Sequence, residues 1–111
     1  MKLEFRRWGD LSEEERLECL RRFLEWRLSH CLGAVRVDVF WWMKCPRVPK
    51  VQGTSARQWW AWVLQLLRRH GVKYEIFETW RRGSKAKHIL LPRSEAVRLL
   101  KLLKAPALTP P

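Results

Sequence analysis

The sequence predicts an α+β fold, in which helices back an antiparallel or mixed sheet of three or four strands. Apolar residues recur every three to four positions in three stretches, which is the spacing of amphipathic helices, and every second position in others, which is the spacing of strands. The stretches follow one another in the order (β)αβαββα, with a short first strand. This order is typical of helices packed on one face of a small sheet.

The N-terminal half is predicted to contain a short strand, a helix and a longer strand. "KLEFRRW" alternates in polarity and predicts the first strand. Ser12 followed by Glu15 is a capping box, and the leucines after it predict a helix over residues 12–31. After Gly33, "AVRVDVFWWMK" changes to period two and predicts a strand over residues 35–44.

The C-terminal half is predicted to contain a helix, a hairpin and a final helix. "CPRVPKVQGTS" predicts an exposed basic loop, Thr54 or Ser55 can cap the next helix, and Gly71 ends that helix. "VKYEIFETW" and "KAKHILL" predict a hairpin whose turn uses Gly83 and Ser84. Ser94 is expected to cap a helix over residues 94–104. Residues 1–104 then form one domain, and residues 105–111 a flexible Pro-rich tail.

Charge and aromatic content restrict the partners that this chain can have. It contains 23 Lys and Arg against 11 Asp and Glu, giving a net charge of +12, together with eight Trp. Such a surface attracts a polyanion. No apolar run approaches the roughly 20 residues that span a bilayer, and no signal peptide is recognisable, so we expect a cytoplasmic protein without a membrane partner.

The residues that commonly bind metals or cofactors form no recognisable motif. The three cysteines include no CxxC pair and are predicted to be small buried hydrophobes. The histidines His30, His70 and His88 fall on different elements. We therefore expect neither a metal nor a cofactor. The chain has no Asn and only three Gln, which is typical of thermophilic proteins.

The predicted strand over residues 35–44 places aromatic rings between cations on one face. Alternation puts Val35, Val37, Val39, Trp41 and Met43 on the apolar face, and the following residues on the other: Arg36, Asp38, Phe40, Trp42 and Lys44. Rings between cations are a common surface for single-stranded nucleic acid, since bases stack on the rings while cations bind phosphates. The alternative is that Phe40 and Trp42 pack beneath a helix.

Two further segments combine indole rings with positive charge. Trp80 lies at the mouth of the predicted hairpin turn, beside Arg81, Arg82, Lys85 and Lys87. In the helix after residue 54, Trp59 and Trp62 fall on the core stripe, whereas Trp60 lies at its margin near the loop cations Arg47 and Lys50. The alternative for the hairpin is a solvated turn, and for Trp60 it is simple packing.

The stretches "LSEEERLECLRRFLEWRL", "VRVDVFWWMKC" and "ARQWWAWVLQLLRRHGVKYEIFE" together resemble the ThermoDBP family, single-stranded DNA-binding proteins of hyperthermophilic archaea and their relatives. The resemblance covers residues 10–91. It implies a sheet backed by helices rather than an OB-fold, and a hydrophobic cleft flanked by basic residues. The family's founding type dimerises through a long leucine-zipper helix. Here the last helix spans only about three turns, which excludes a long zipper.

The predicted function is sequence-nonspecific binding of single-stranded DNA without catalysis. The stacking candidates are Phe40, Trp42, Trp60 and Trp80, and the phosphate-binding candidates are Arg36, Lys44, Arg47, Lys50, Arg81, Arg82, Lys85 and Lys87. Two alternatives remain open, an RNA-binding or ribonucleoprotein subunit and a metal-dependent nuclease that uses Asp38. Self-association is predicted through Trp26 or through the helix over residues 94–104.

Overall fold

The computed structural model describes residues 2–104, apart from the side chain of Arg81. Four α-helices and three strands are formed by these residues: α1 (Glu13–His30), β1 (Val35–Val37), α2 (Val39–Lys44), α3 (Thr54–Arg69), β2 (Glu75–Arg81), β3 (Ser84–Leu91) and α4 (Arg93–Lys104). Two 3-10 turns, Leu3–Phe5 and Trp8–Asp10, precede α1. The predicted α+β class is confirmed. The predicted tail, residues 105–111, lies outside the described residues.

The sheet is antiparallel and open, with the strand order β1-β3-β2. The β2–β3 hairpin turns through Arg82 and Gly83, which both have positive φ, rather than through Gly83 and Ser84 as predicted. Strand β1 pairs with residues 89–91 only. The part of β3 nearer the turn therefore has β2 on one side and no described strand on the other. The candidate site lies beside this unpaired part of β3.

One face of the sheet is buried in the hydrophobic core. Val35, Val37, Ile89 and Leu91 are at most 1% exposed and belong to the same buried cluster as residues of α1, α3 and α4. In α3, the predicted core stripe is confirmed, including Trp59 and Trp62. Full burial of one such side chain is worth about 1.5 to 3 kcal/mol, so this shared cluster fixes the helices on the sheet.

The helix ends follow the predicted caps in part. The capping box of α1 is present, since the Glu15 amide donates to Ser12 Oγ at 3.2 Å and the Ser12 amide donates to Glu15 Oε1 at 2.9 Å. Gly71, with φ of 62°, follows α3 as predicted. Thr54 and Ser55 do not cap α3, because the helix begins at Thr54 and its N-cap is Gly53. The Ser55 hydroxyl bonds the backbone of Gln52 instead. The predicted cap at Ser94 is wrong, because α4 begins one residue earlier, at Arg93, and Ser94 lies within the helix.

The predicted first strand does not form. Residues 3–5 and 8–10 close local turns instead, with the Arg6 amide donating to the Leu3 carbonyl at 3.0 Å. Leu3 and Trp8 are buried, whereas Phe5, which alternation places beside Leu3, is 80% exposed. The segment thus anchors itself on the core through two side chains rather than through strand pairing.

The predicted strand over residues 35–44 is divided at Asp38. The residues before Asp38 form β1 and those after it form α2, and Asp38 Oδ1 accepts the Trp41 amide at 2.8 Å as the N-cap of this helix. A short apolar run such as "VFWWM" fits a buried helix as well as a strand. The prediction of one long strand is therefore wrong, and Phe40 and Trp42 do not share a strand face.

None of the described helices is both long enough and apolar enough to cross a membrane. The three cysteines are free, as expected of small hydrophobes: Cys19 and Cys45 are buried, and Cys31 is partly exposed. Burial raises the pKa of the Cys19 thiol to about 12 and raises the pKa of Cys45 as well.

We expect the three thiols to differ in reactivity, because the thiolate is the nucleophile and burial disfavours it. At neutral pH, a chromogenic disulfide reagent should modify Cys31 rapidly and leave Cys19 and Cys45 until the protein is denatured. Cys31→Ser should remove the fast phase alone. Three equally fast thiols in the native protein would contradict the burial of Cys19 and Cys45.

Candidate nucleic-acid interface

A cavity of about 350 Å³ lies between the β1–α2 segment and the β2–β3 hairpin. It is formed because α2 turns away from β3 where β1 ends. Arg36 and residues 38–40 line one side, and Thr79, Trp80 and residues 86–88 line the other. Its volume falls within the roughly 300 to 1,000 Å³ of small-molecule sites.

A chain of hydrogen bonds crosses the floor of this cavity. His88 is 6% exposed, its Nδ1 lies 2.7 Å from Asp38 Oδ2, and its Nε2 lies 2.7 Å from Thr79 Oγ1. An ionised carboxylate only accepts hydrogen bonds, so Nδ1 carries a proton and donates to Asp38. In the neutral imidazole, Nε2 then accepts the Thr79 hydroxyl. The chain ties β2, β3 and the start of α2 together.

Arg36 completes this network from β1. Its Nη2 donates to Asp38 Oδ2 at 3.0 Å, and its guanidinium lies 5.5 Å from the centre of the Phe77 ring. Arg36 Nε is sealed from solvent without a hydrogen-bond partner. The Asp38 carboxylate therefore serves three donors: the Trp41 amide, His88 and Arg36. It is occupied in holding the fold together.

Two pairs of a ring and a cation lie beside the cavity. Trp80 is 68% exposed, and Lys85 Nζ lies 5.2 Å from the centre of its ring. Phe40 is 38% exposed, and Lys44 Nζ lies 4.4 Å from its ring. Exposed cation–π contacts are worth only about 0.5 to 1 kcal/mol. A ligand that offers a flat ring and a negative charge can compete for these surfaces.

The cavity brings together half of the residues predicted to bind nucleic acid. Arg36, Phe40, Trp80 and Lys87 line it, and Lys44 and Lys85 contact its rings. Arg82 is exposed in the hairpin turn. The side chain of Arg81 lies outside what the structure describes.

The predicted stacking role of Trp42 is wrong. Trp42 is fully buried, and its indole N–H donates to the Pro49 carbonyl at 2.7 Å. Its ring packs against Trp8, Phe23 and Trp59, with centroids 5.1 to 5.8 Å away. In a helix that begins at Val39, Trp42 lies on the inner side, whereas Phe40 does not.

Three further predicted residues do not line the cavity. Arg47 is exposed and forms an ion pair of 3.7 Å with Glu25 of α1. Lys50 lines a separate cleft beside Trp8. Trp60 is partly buried and packs against the core, which was the alternative for this residue. They do not belong to the candidate interface.

Sequence reasoning missed Trp41. Alternation placed Trp41 on the buried face of a strand, but it is partly buried in α2, with the guanidinium of Arg27 3.9 Å from its ring. The available signal was Asp38, three residues before Trp41, which is the spacing of a helix cap to its N3 amide.

The surfaces predicted to mediate self-association have partners within the chain. Trp26 packs against Phe23 and Trp41, with centroids 6.2 and 6.4 Å apart. In α4, Leu99 is buried, and Leu100 and Leu103 are partly buried against the core. Self-association stays a prediction.

The nuclease alternative depends on an available Asp38, which is 1% exposed and bonded as described above. Within residues 2–104, no group of three His, Cys, Asp or Glu is arranged to hold a metal ion.

The chain matches no protein-family model, no curated protein and no solved structure. The resemblance to ThermoDBP proteins therefore rests on the sequence stretches quoted above.

We expect Trp42 and Trp80 to differ sharply in their effect on stability. Trp42→Ala should lower the free energy of unfolding by about 3 to 5 kcal/mol, because it removes a buried aromatic ring. Trp80→Ala should change it by about 0.5 kcal/mol or less, as exposed positions do. Unfolding in guanidinium chloride, monitored by circular dichroism, measures the free energy of unfolding of both variants. Equal losses would contradict the different placement of the two rings.

Asp38→Ala should lower the free energy of unfolding by about 3 kcal/mol or more, because it removes a helix cap and leaves His88 and Arg36 without their acceptor. Asp10→Ala, at an exposed aspartate, is the matched control and should change little. If the two variants unfold alike, the network at the cavity floor does not stabilise the fold.

Proposed function

We propose that this protein binds single-stranded nucleic acid, DNA in preference to RNA, without sequence specificity. A base stacks on Trp80 or Phe40 at the mouth of the cavity, and Arg36, Lys44, Lys85 and Lys87 bind the phosphates on either side. Arg82 extends the basic surface at the hairpin turn.

The observation that carries this proposal is the exposed Trp80 ring beside a cavity edged by cations. A large aromatic side chain that is 68% exposed contributes little to its own fold. Its flat face suits an unpaired base, and each base stacked on an aromatic ring contributes about 1 to 3 kcal/mol. A duplex keeps its bases stacked on each other, so the same ring favours single strands.

The charge distribution supports the same ligand. The chain carries a net charge of +12. In α1, Glu18 pairs with Arg21 and Arg22, which lowers the pKa of its carboxyl, so this helix neutralises much of its own charge. On the hairpin, Lys85 forms an ion pair of 3.6 Å with Glu78, and Lys87 lies opposite the same residue in the strand register. An excess of cations therefore lies on the hairpin, where the Trp80 ring is exposed.

The preference for DNA follows from the resemblance to ThermoDBP proteins. RNA is the second ligand to test, since discrimination depends on contacts with the 2′-hydroxyl that residue types do not announce.

Titration with oligo-dT should quench the tryptophan fluorescence, and affinity should fall as salt rises, with a slope of about 0.7 per neutralised phosphate in a log–log plot. Trp80→Ala should weaken binding by about 1 to 3 kcal/mol. Phe5→Ala is the matched control, because Phe5 is also exposed but lies in the N-terminal turn. Tight binding of duplex with no quenching by oligo-dT would refute stacking.

A second pair of variants separates two effects on affinity, that of a cation at the cavity and that of the net charge of the protein. Lys87→Ala and Lys101→Ala remove the same charge, but Lys101 lies on α4 and outside the lining of the cavity. Lys87→Ala should weaken binding of oligo-dT more than Lys101→Ala. An equal loss would indicate attraction by net charge alone.

A further inference from the structure

Arg27 is a buried cation to which no residue of the described part of the chain offers an acidic partner. It is 7% exposed on α1, and no carboxylate of residues 2–104 lies within ion-pair distance of its guanidinium. Buried charges in proteins are normally paired, because removing a cation from water costs several kcal/mol. The position of Arg27 therefore calls for a physical reason.

Two indole rings hold the guanidinium in place without neutralising it. Its central carbon lies 3.9 Å from the centre of the Trp41 ring and 5.8 Å from that of Trp26. Arg27 Nε is sealed from solvent and has no hydrogen-bond partner. The terminal nitrogens are not sealed from solvent, so these donors of the planar guanidinium keep some access to solvent although the residue is 7% exposed.

Among the residues that the structure describes, the surroundings of Arg27 add positive charge and no free acid. Lys44 Nζ lies 5.4 Å from the Trp41 ring, on which Arg27 also lies. The nearest acid along α1, Glu25, is engaged by Arg21 at 2.8 Å, Lys104 at 3.0 Å and Arg47 at 3.7 Å. Those contacts, the Lys104 hydrogen bond above all, lower the pKa of the Glu25 carboxyl. The cluster of Arg27, Lys44, Trp26 and Trp41 is therefore positively charged, and the described residues supply no anion to balance it.

The cluster is continuous with the candidate interface. Phe40 lines the cavity and packs edge-on against Trp41, with centroids 5.5 Å apart. Lys44 contacts both of these rings. Rings and cations thus alternate from the cavity along α2 to α1.

We propose that Arg27, framed by Trp26 and Trp41, forms a second anion-binding subsite with Lys44, a cation that it shares with the cavity site. This subsite takes a further backbone phosphate of the strand bound at the cavity. This inference rests on the proposed function. A planar guanidinium presents paired N–H donors that match phosphate oxygens, and a compact ammonium beside it adds charge. The protein then binds a longer strand in two places, first at the hairpin and then at α1.

The test compares a short strand with a long one. Affinities of dT oligomers of about 4 and about 12 nucleotides, lengths within the range of single-strand sites, are measured for the wild type, Arg27→Gln and Trp80→Ala. Arg27→Gln should weaken binding of the long strand by about tenfold, as expected for loss of a charged hydrogen bond, and leave the short strand within about twofold. Its salt slope with the long strand should fall by about 0.7. Trp80→Ala should weaken both.

Arg27→Lys keeps the charge and loses the planar fork. If Arg27→Gln does not fold, Arg27→Lys tests the subsite in its place. It should weaken binding of the long strand by about threefold or more and leave binding of the short strand unchanged. Equal effects on both strands, or none on either, overturn the subsite. A change in molar mass by light scattering in the Arg27 variants, with unchanged affinity, overturns it in favour of a subunit contact. Failure of both strands to bind wild-type protein refutes the proposed function itself.

Discussion

The architecture depends on the carboxylate of Asp38. By accepting the Trp41 amide it ends β1 and begins α2, and by accepting hydrogen bonds from His88 and Arg36 it fixes the new helix to the sheet. Its burial is tolerated because every bond it makes comes from a strong donor. The cavity exists because the chain leaves the sheet at this residue. The Asp38 carboxylate thus serves the architecture of the fold.

The turn at Asp38 also sorts neighbouring aromatic residues into different environments. Within one turn of α2, Phe40 reaches the surface, Trp41 lies half-buried against cations, and Trp42 enters the core. In the core, Trp42 meets Trp8 and Trp59 in tilted or edge-to-face contacts, the arrangements that aromatic quadrupoles favour. The tryptophan content therefore has two physical roles. The four buried indoles, those of Trp8, Trp42, Trp59 and Trp62, build the core, and the exposed indole of Trp80 is available to a ligand.

The two proposed sites use positive charge in different ways. On the hairpin, exposed lysines such as Lys85 remain solvated and contact Trp80 loosely, which suits a mobile and salt-sensitive grip on phosphate. At α1, Arg27 is largely desolvated and held by rings, so an anion that reaches it meets a donor whose orientation is already fixed. A strand bound at both sites would therefore combine rapid electrostatic capture with a more directional contact.

The sequence alone determined the class of fold, the capping box at Ser12, the core stripe of α3, and the hairpin with Trp80 between cations. Each of these depends on local periodicity or on a turn residue, and local rules act within a few positions of the chain. The sequence did not determine that residues 39–44 form a helix, that Trp42 is buried while Phe40 is exposed, or that Arg27 meets Trp41. An apolar run without polar interruptions fits both periods equally well, and Asp38 before it is a local cap signal that does not outweigh the alternation. The choice was made by the tertiary contacts of Asp38 with His88 and Arg36, which lie on two different strands.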